Sequence, residues 1–169
     1  MRPNKLQRAP ARGKPTLGTH IHSAWPATIE LAGHAGLFDY VEFAGRIRAL
    51  RSLRPRESRA RRGHLSPHVG HDEDRAAAAD LSRGAAIGSG IQNLLFADPR
   101  TPADVAECVA AARAEAPGHG GLHGVGMRRD VGYVVDVGSP AFVQALDDAV
   151  VAIMIEKAPA VENLDALSP

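Results

Sequence analysis

Cysteine is almost absent from this 169-residue chain: Cys108 is its single thiol, so no disulfide can form within it. A lone cysteine inside the helical run Asp104 to Ala114 reads as a buried structural thiol in a reducing compartment, and a cytoplasmic setting is expected. Aromatic residues make up only 4% of the chain, and little is available to stack nucleic-acid bases. No apolar run approaches the ~20 residues of a membrane span. The basic, polar stretch before Thr16 lacks the apolar segment of a secretory signal. No membrane partner is expected. The net charge of +1 gives the chain as a whole no pull towards a polyanion.

That average hides an uneven distribution. Residues 46–83 hold ten of the twenty Lys and Arg against five of the nineteen Asp and Glu, hence +5; the remaining ten against fourteen give −4. The arginines from Arg46 to Arg62 have the spacing of a phosphate-neutralising patch, yet no aromatic interleaves with them, which counts against nucleic acid as the partner. His64, His68, His71, Asp72 and Asp74 can be drawn as a transition-metal site, but no apolar framework surrounds them to fix its geometry.

What is present in quantity is apolar content, 44% of the residues, enough for one core and one domain. Val150 to Ile155 is an unbroken apolar run ending on Glu156, which reads as a buried parallel strand with a ligand-bearing carboxylate at its tip. A carboxylate in that setting must be paired, metal-bound or at a cavity. Ala160 to Asp165 follows as a helix packing back on the sheet, with Glu162 and Asp165 on its solvated face. Earlier in the chain, Thr16 to Ser23 reads as a first strand and Phe38 to Phe43 as a second, with Glu42 near its end. Between them lies a helix that Pro26 opens and Gly36 stops. Strand, helix, strand at this spacing is a βαβ unit, so the fold class is α/β with a parallel sheet. Ile91 to Ala97 is a further strand, Thr101 caps a helix from Pro102 to about Glu115, and Ser139-Pro140 opens another to about Asp148. Pro117 to Tyr133 is a glycine-rich loop.

Lys14 to Ser23, Gly36 to Phe43, Leu122 to Asp130 and the Glu156 strand, in that order, resemble the HpcH/HpaI aldolase (citrate lyase-like) family, over residues 1–45 and 85–169. The resemblance implies a (β/α)8 TIM barrel of the phosphoenolpyruvate/pyruvate superfamily, present here as about its first five strands. It also implies carbon–carbon bond cleavage beside a pyruvate-type carbonyl, a divalent cation (Mg²⁺ or Mn²⁺), a small keto-acid substrate and a homo-oligomer. Glu156 matches the family's metal-binding Glu at the end of strand five, and Glu42 an acidic position at the end of strand two. Cleavage leaves an enolate, whose charge a cation held by carboxylates stabilises. His20 and His22 lie two apart on a strand and so share a side, where they either meet substrate or simply finish the strand. Arg128 and Arg129 have the chemistry to hold a substrate carboxylate bidentately, with plain solvation as the alternative.

Two departures accompany the resemblance. The family's second metal carboxylate, an Asp ending strand six, lies beyond Pro169, so this chain alone is expected not to turn over substrate. Residues 46–84 show no apolar period of 2 or 3.6, and the third βα unit is expected to be irregular. A reading frame shifted between two compensating single-base errors accounts for that break. In the alternative frame, Arg46 to Ala49 permits Glu-Tyr-Ala-Pro, and Ser66 to Asp74 permits a plausible third strand.

Overall fold

The structure is a computed structural model that describes residues 4–8, 13–23, 25–44, 65–70, 91–124 and 138–167. Five strands form one sheet: β1 (Gly18–Ile21), β2 (Tyr40–Ala44), β3 (Leu65–Gly70), β4 (Leu94–Ala97) and β5 (Val151–Ile153). Every neighbouring pair is parallel, and the spatial order is the chain order, β1-β2-β3-β4-β5. A doubly wound sheet reverses its order at a switch point. This one does not: each strand is added beside the one before it.

The sheet is two-sided. On one side Phe43, Leu94 and Phe96 are wholly buried against Cys108 and Ala112, and against Phe142 and Leu146. These partners belong to helices α3 (Pro102–Ala112) and α4 (Pro140–Asp147). Because side chains alternate along a strand, Glu42 points the other way from Val41 and Phe43, and His20 lies directly beside it in register. That second side is only partly covered, which keeps its polar groups in reach of a solute.

The helices start where local chemistry says they should. Helix α2 (Pro26–Ala35) has Pro26 in its first turn and ends on Gly36, whose φ of 65° is a left-handed conformation that glycine adopts without penalty. At α3, Thr101 accepts from the Asp104 amide while the Asp104 carboxylate accepts from the Thr101 and Arg100 amides, a complete capping box. Ser139 accepts from the Phe142 amide at 3.1 Å and caps α4. A short helix α1 (Lys5–Arg8) precedes the sheet. Below β4, Asn93 Oδ1 accepts from Asn4 Nδ2 at 2.6 Å and from the Val150 amide at 3.0 Å, and Asn4 also donates to the Asp148 carbonyl. This buried knot ties the amino-terminal arm to the entry of β5.

Three expectations need correcting. The segment 46–84 is not uniformly irregular, since its residues 65–70 supply the central strand β3, paired on both sides. Main-chain ladders do not read side-chain period, and a gap between β2 and β4 offers unmet donors and acceptors to any extended segment. The remainder of 46–84 lies outside the described residues. Second, β5 ends at Ile153, well short of Glu156. Only Met154 still donates to the Phe96 carbonyl, because β4 itself stops at Ala97 and leaves no further partner. Third, the closing helix is two short ones, α5 (Ala158–Glu162) and α6 (Leu164–Leu167), separated by Asn163. Glu162 and Asp165 are exposed on them as expected.

Candidate functional site

Chemistry-bearing side chains form two groups, one within β1 and β2 on the partly covered side and one at the carboxyl-terminal edge of the sheet, after β4 and β5. In an all-parallel sheet every strand delivers its last residues to that edge, and loops there are free to vary without disturbing the core.

The first group sits on β1 and β2. Their register sets His20 beside Glu42, and Nδ1 of His20 lies 3.1 Å from Oε1 of Glu42. The carboxylate is the more sheltered partner, 19% exposed against 42% for the imidazole. It therefore holds the ring by one nitrogen and leaves the other towards solvent, the arrangement of an oriented proton-transfer histidine. His22, just past the strand, lies on the same side, with its ring centroid 4.6 Å from that of His20 at a 47° tilt. Period-two alternation predicts that shared side; the Glu42 contact depends on register.

The second group spans the ends of β4 and β5. Asp98 directly follows β4 and has φ of 65°, the only positive value at a non-glycine residue among the described ones. Nζ of Lys157 lies 2.9 Å from Asp98 Oδ1. Lys157 holds the Asp98 carboxyl below the usual carboxylate range, against the partial burial that pushes it up, with smaller help from the adjacent Glu156 side chain. Asp98 in turn raises the Lys157 ammonium above its ordinary value. Glu156 stands next to this pair on the exposed turn after β5, rather than inside a buried strand.

Among the described residues no group of three or more His, Cys, Asp and Glu side chains is placed to hold a metal ion. Glu156, on the turn after β5, offers hard carboxylate oxygens, while the neighbouring Asp98 is engaged by Lys157. A carboxylate so placed fits Mg²⁺ or Mn²⁺, which bind through one or two carboxylates and complete their shell with water and substrate oxygens. Arg128 and Arg129 lie outside the described residues, as do Arg46 to Arg62 and, of the other candidate cluster, His64, His71, Asp72 and Asp74. Sequence reasoning passed over Asp98 and Lys157. Asp98 carries the same signal as Glu156, an acid just beyond an apolar strand, but Pro99 beside it is equally the mark of a plain turn.

No family model matches the chain, and no curated protein does. Solved structures do. A HpcH/HpaI aldolase/citrate lyase family protein from Burkholderia cenocepacia J2315 superposes with a TM-score of 0.76 at 21% identity, over 98% of this chain and 64% of that one. The HpcH/HpaI aldolase from Desulfitobacterium hafniense DCB-2 gives 0.73 at 20% identity, over 96% and 61%. Citrate synthase SbnG gives 0.68 at 17% identity, over 96% and 60%. The chain spans about three-fifths of the length of these proteins. Likeness at such identities establishes a shared fold. Among the described residues no helix is long and apolar enough to cross a membrane.

Proposed function

We propose that this chain supplies the first five βα units of an aldolase-type (β/α)8 barrel, and that the site of the whole barrel makes or breaks a carbon–carbon bond beside the carbonyl of a 2-keto acid, this chain by itself supporting proton exchange at the keto acid rather than turnover. One observation carries the reading. The sheet has the fold of HpcH/HpaI aldolases, an oriented His–Glu pair lies on its partly covered side, and the Asp98–Lys157 ion pair with Glu156 beside it lies at its carboxyl-terminal edge.

In the cleavage direction the substrate's 4-hydroxyl proton passes to the free nitrogen of His20, the C3–C4 bond breaks, and its electrons move into the pyruvate enolate as the aldehyde leaves. Glu42 fixes the imidazole by its Nδ1 and stabilises the imidazolium that forms. The same proton is then available to C3 of the enolate, so the step balances without a co-reactant. His22 limits rotation of the His20 ring by packing against it. Glu156 is the carboxylate that would hold Mg²⁺ or Mn²⁺; when bound, that ion polarises the keto oxygen and stabilises the enolate charge. Arg128 and Arg129 remain proposed partners of the substrate carboxylate.

The test is exchange of the pyruvate methyl protons for deuterium, followed by NMR with the full chain and Mn²⁺. Exchange above a protein-free control is expected, falling about 10²- to 10⁴-fold in His20→Ala and Glu42→Gln, the usual contribution of a positioned acid–base group. No exchange above the control, or undiminished exchange in both variants, overturns the reading.

A further inference from the structure

The turns that leave β4 and β5 are tied together by a contact the sheet itself does not require. Asp98 adopts φ of 65°, a conformation that an L-residue with a side chain keeps only where its surroundings hold it. The neighbouring Pro99 is fully buried and anchors the chain just beyond it. Across the gap, Lys157 occupies the N-cap position of α5 but makes no side-chain cap bond there. Its side chain runs back instead to Asp98, 2.9 Å away. The strand that leads into this turn has its last ladder bond at Met154, whose amide donates to the Phe96 carbonyl at 2.8 Å. The short segment carrying Glu156 is therefore pinned twice, by Met154 on one side and Lys157 on the other. The Glu156 side chain also reaches the Asp98 carboxyl, so Asp98 stands between the lysine that pins the turn and the glutamate that the turn carries.

We infer that the Asp98–Lys157 pair is a positioning device that holds the Glu156 carboxylate at the mouth of the sheet. The inference rests on reading Glu156 as the carboxylate for a divalent cation, and it makes a prediction opposite in sign to simple electrostatics. Replacing Lys157 by methionine removes a positive charge beside the cation's place, so charge alone would tighten binding. Loss of positioning would weaken it, and groups that orient a ligating carboxylate are commonly worth about 10- to 100-fold in metal affinity.

The experiment is Mn²⁺ titration of the full chain, wild type and variants, by electron paramagnetic resonance of the free ion. Weaker binding by about 10- to 100-fold is expected in Lys157→Met, with recovery in Lys157→Arg, which restores a cation able to reach Asp98. Asp98→Asn is expected to weaken binding on its own and to add nothing in a Glu156→Gln background, because it acts through Glu156. Tighter or unchanged binding in Lys157→Met overturns the positioning role while leaving Glu156 as the ligand. Unchanged affinity in Glu156→Gln overturns the metal reading instead, and so does absence of Mn²⁺ binding by the wild type; the inference then falls with that reading.

Discussion

Replacing Asn93 by alanine is expected to destabilise the chain more than replacing Asn4, although the two side chains bond to each other. Asn93 is 1% exposed and Asn4 5%. The Val150 main-chain amide can only donate, so the Asn93 atom it meets at 3.0 Å is the oxygen, and the same oxygen accepts from Asn4 Nδ2. The Asn93 Nδ2 group is consequently left buried and unpaired. In Asn93→Ala both bonds vanish and the Val150 amide loses its partner. A net hydrogen bond is worth about 1 kcal/mol and an orphaned buried donor costs about 1–3 kcal/mol. Removing the unpaired Nδ2 returns part of that, so a loss of about 2–3 kcal/mol is expected. In Asn4→Ala the bonds to Asn93 Oδ1 and to the Asp148 carbonyl and the long one from the Gln7 amide are lost, but Asn93 Oδ1 still accepts from Val150 and the other groups released are only part-buried, so the loss is about 1–2 kcal/mol. For a chain of this size these correspond to melting shifts of about 4–12 °C and 2–8 °C. Urea denaturation followed by far-ultraviolet circular dichroism measures both, read from midpoints at unchanged slope. An Asn4→Ala loss equal to or above that of Asn93→Ala would refute the reasoning, since it would mean that the Val150 amide is not the group at stake.

Other outcomes follow from the same geometry. Gly121→Ala places a methyl group against the main chain of Arg113 and Ala114, where a side chain cannot move aside, and should cost more than 1 kcal/mol; a neutral urea midpoint would show that the loop after α3 yields freely. The Asp98–Lys157 pair should make stability depend on pH at both ends. A depressed Asp98 contributes above its unfolded value of 3.8 and loses that contribution as pH falls through the lower folded one. A raised Lys157 contributes below 10.5 and loses it as pH rises through its higher folded value. The difference in urea midpoint between wild type and Asp98→Asn should therefore be flat from about pH 5 to 10 and shrink outside that window; a difference independent of pH down to pH 2 would contradict the ion pair. Added salt should also reduce it, because the pair is solvent-accessible.

The sequence by itself determined the local elements and the alphabet of the site. Thr101 with Asp104, Ser139 before Pro140, Pro26 and Gly36 mark helix ends within a turn of chain, where the donors and acceptors that they satisfy are near neighbours. Apolar runs announced strands at the positions of β1, β2, β4 and β5, and their alternation with helices announced a parallel sheet. His20, His22 and Glu156 were legible as groups near or beyond strand ends for the same reason, whereas Glu42, read near the end of its strand, stands at the middle of β2.

Only the tertiary structure decided how those groups meet. Strand register, which single-chain periodicity leaves open, put His20 beside Glu42. The early end of β4 released the chain after Met154 and moved Glu156 from a buried strand tip to an exposed turn. The third strand carries no period of its own, and its place comes from the two neighbours that pair with it. Asp98 and Lys157 are far apart in the chain and unremarkable singly, because the attraction between opposite charges depends on a distance that only folding sets.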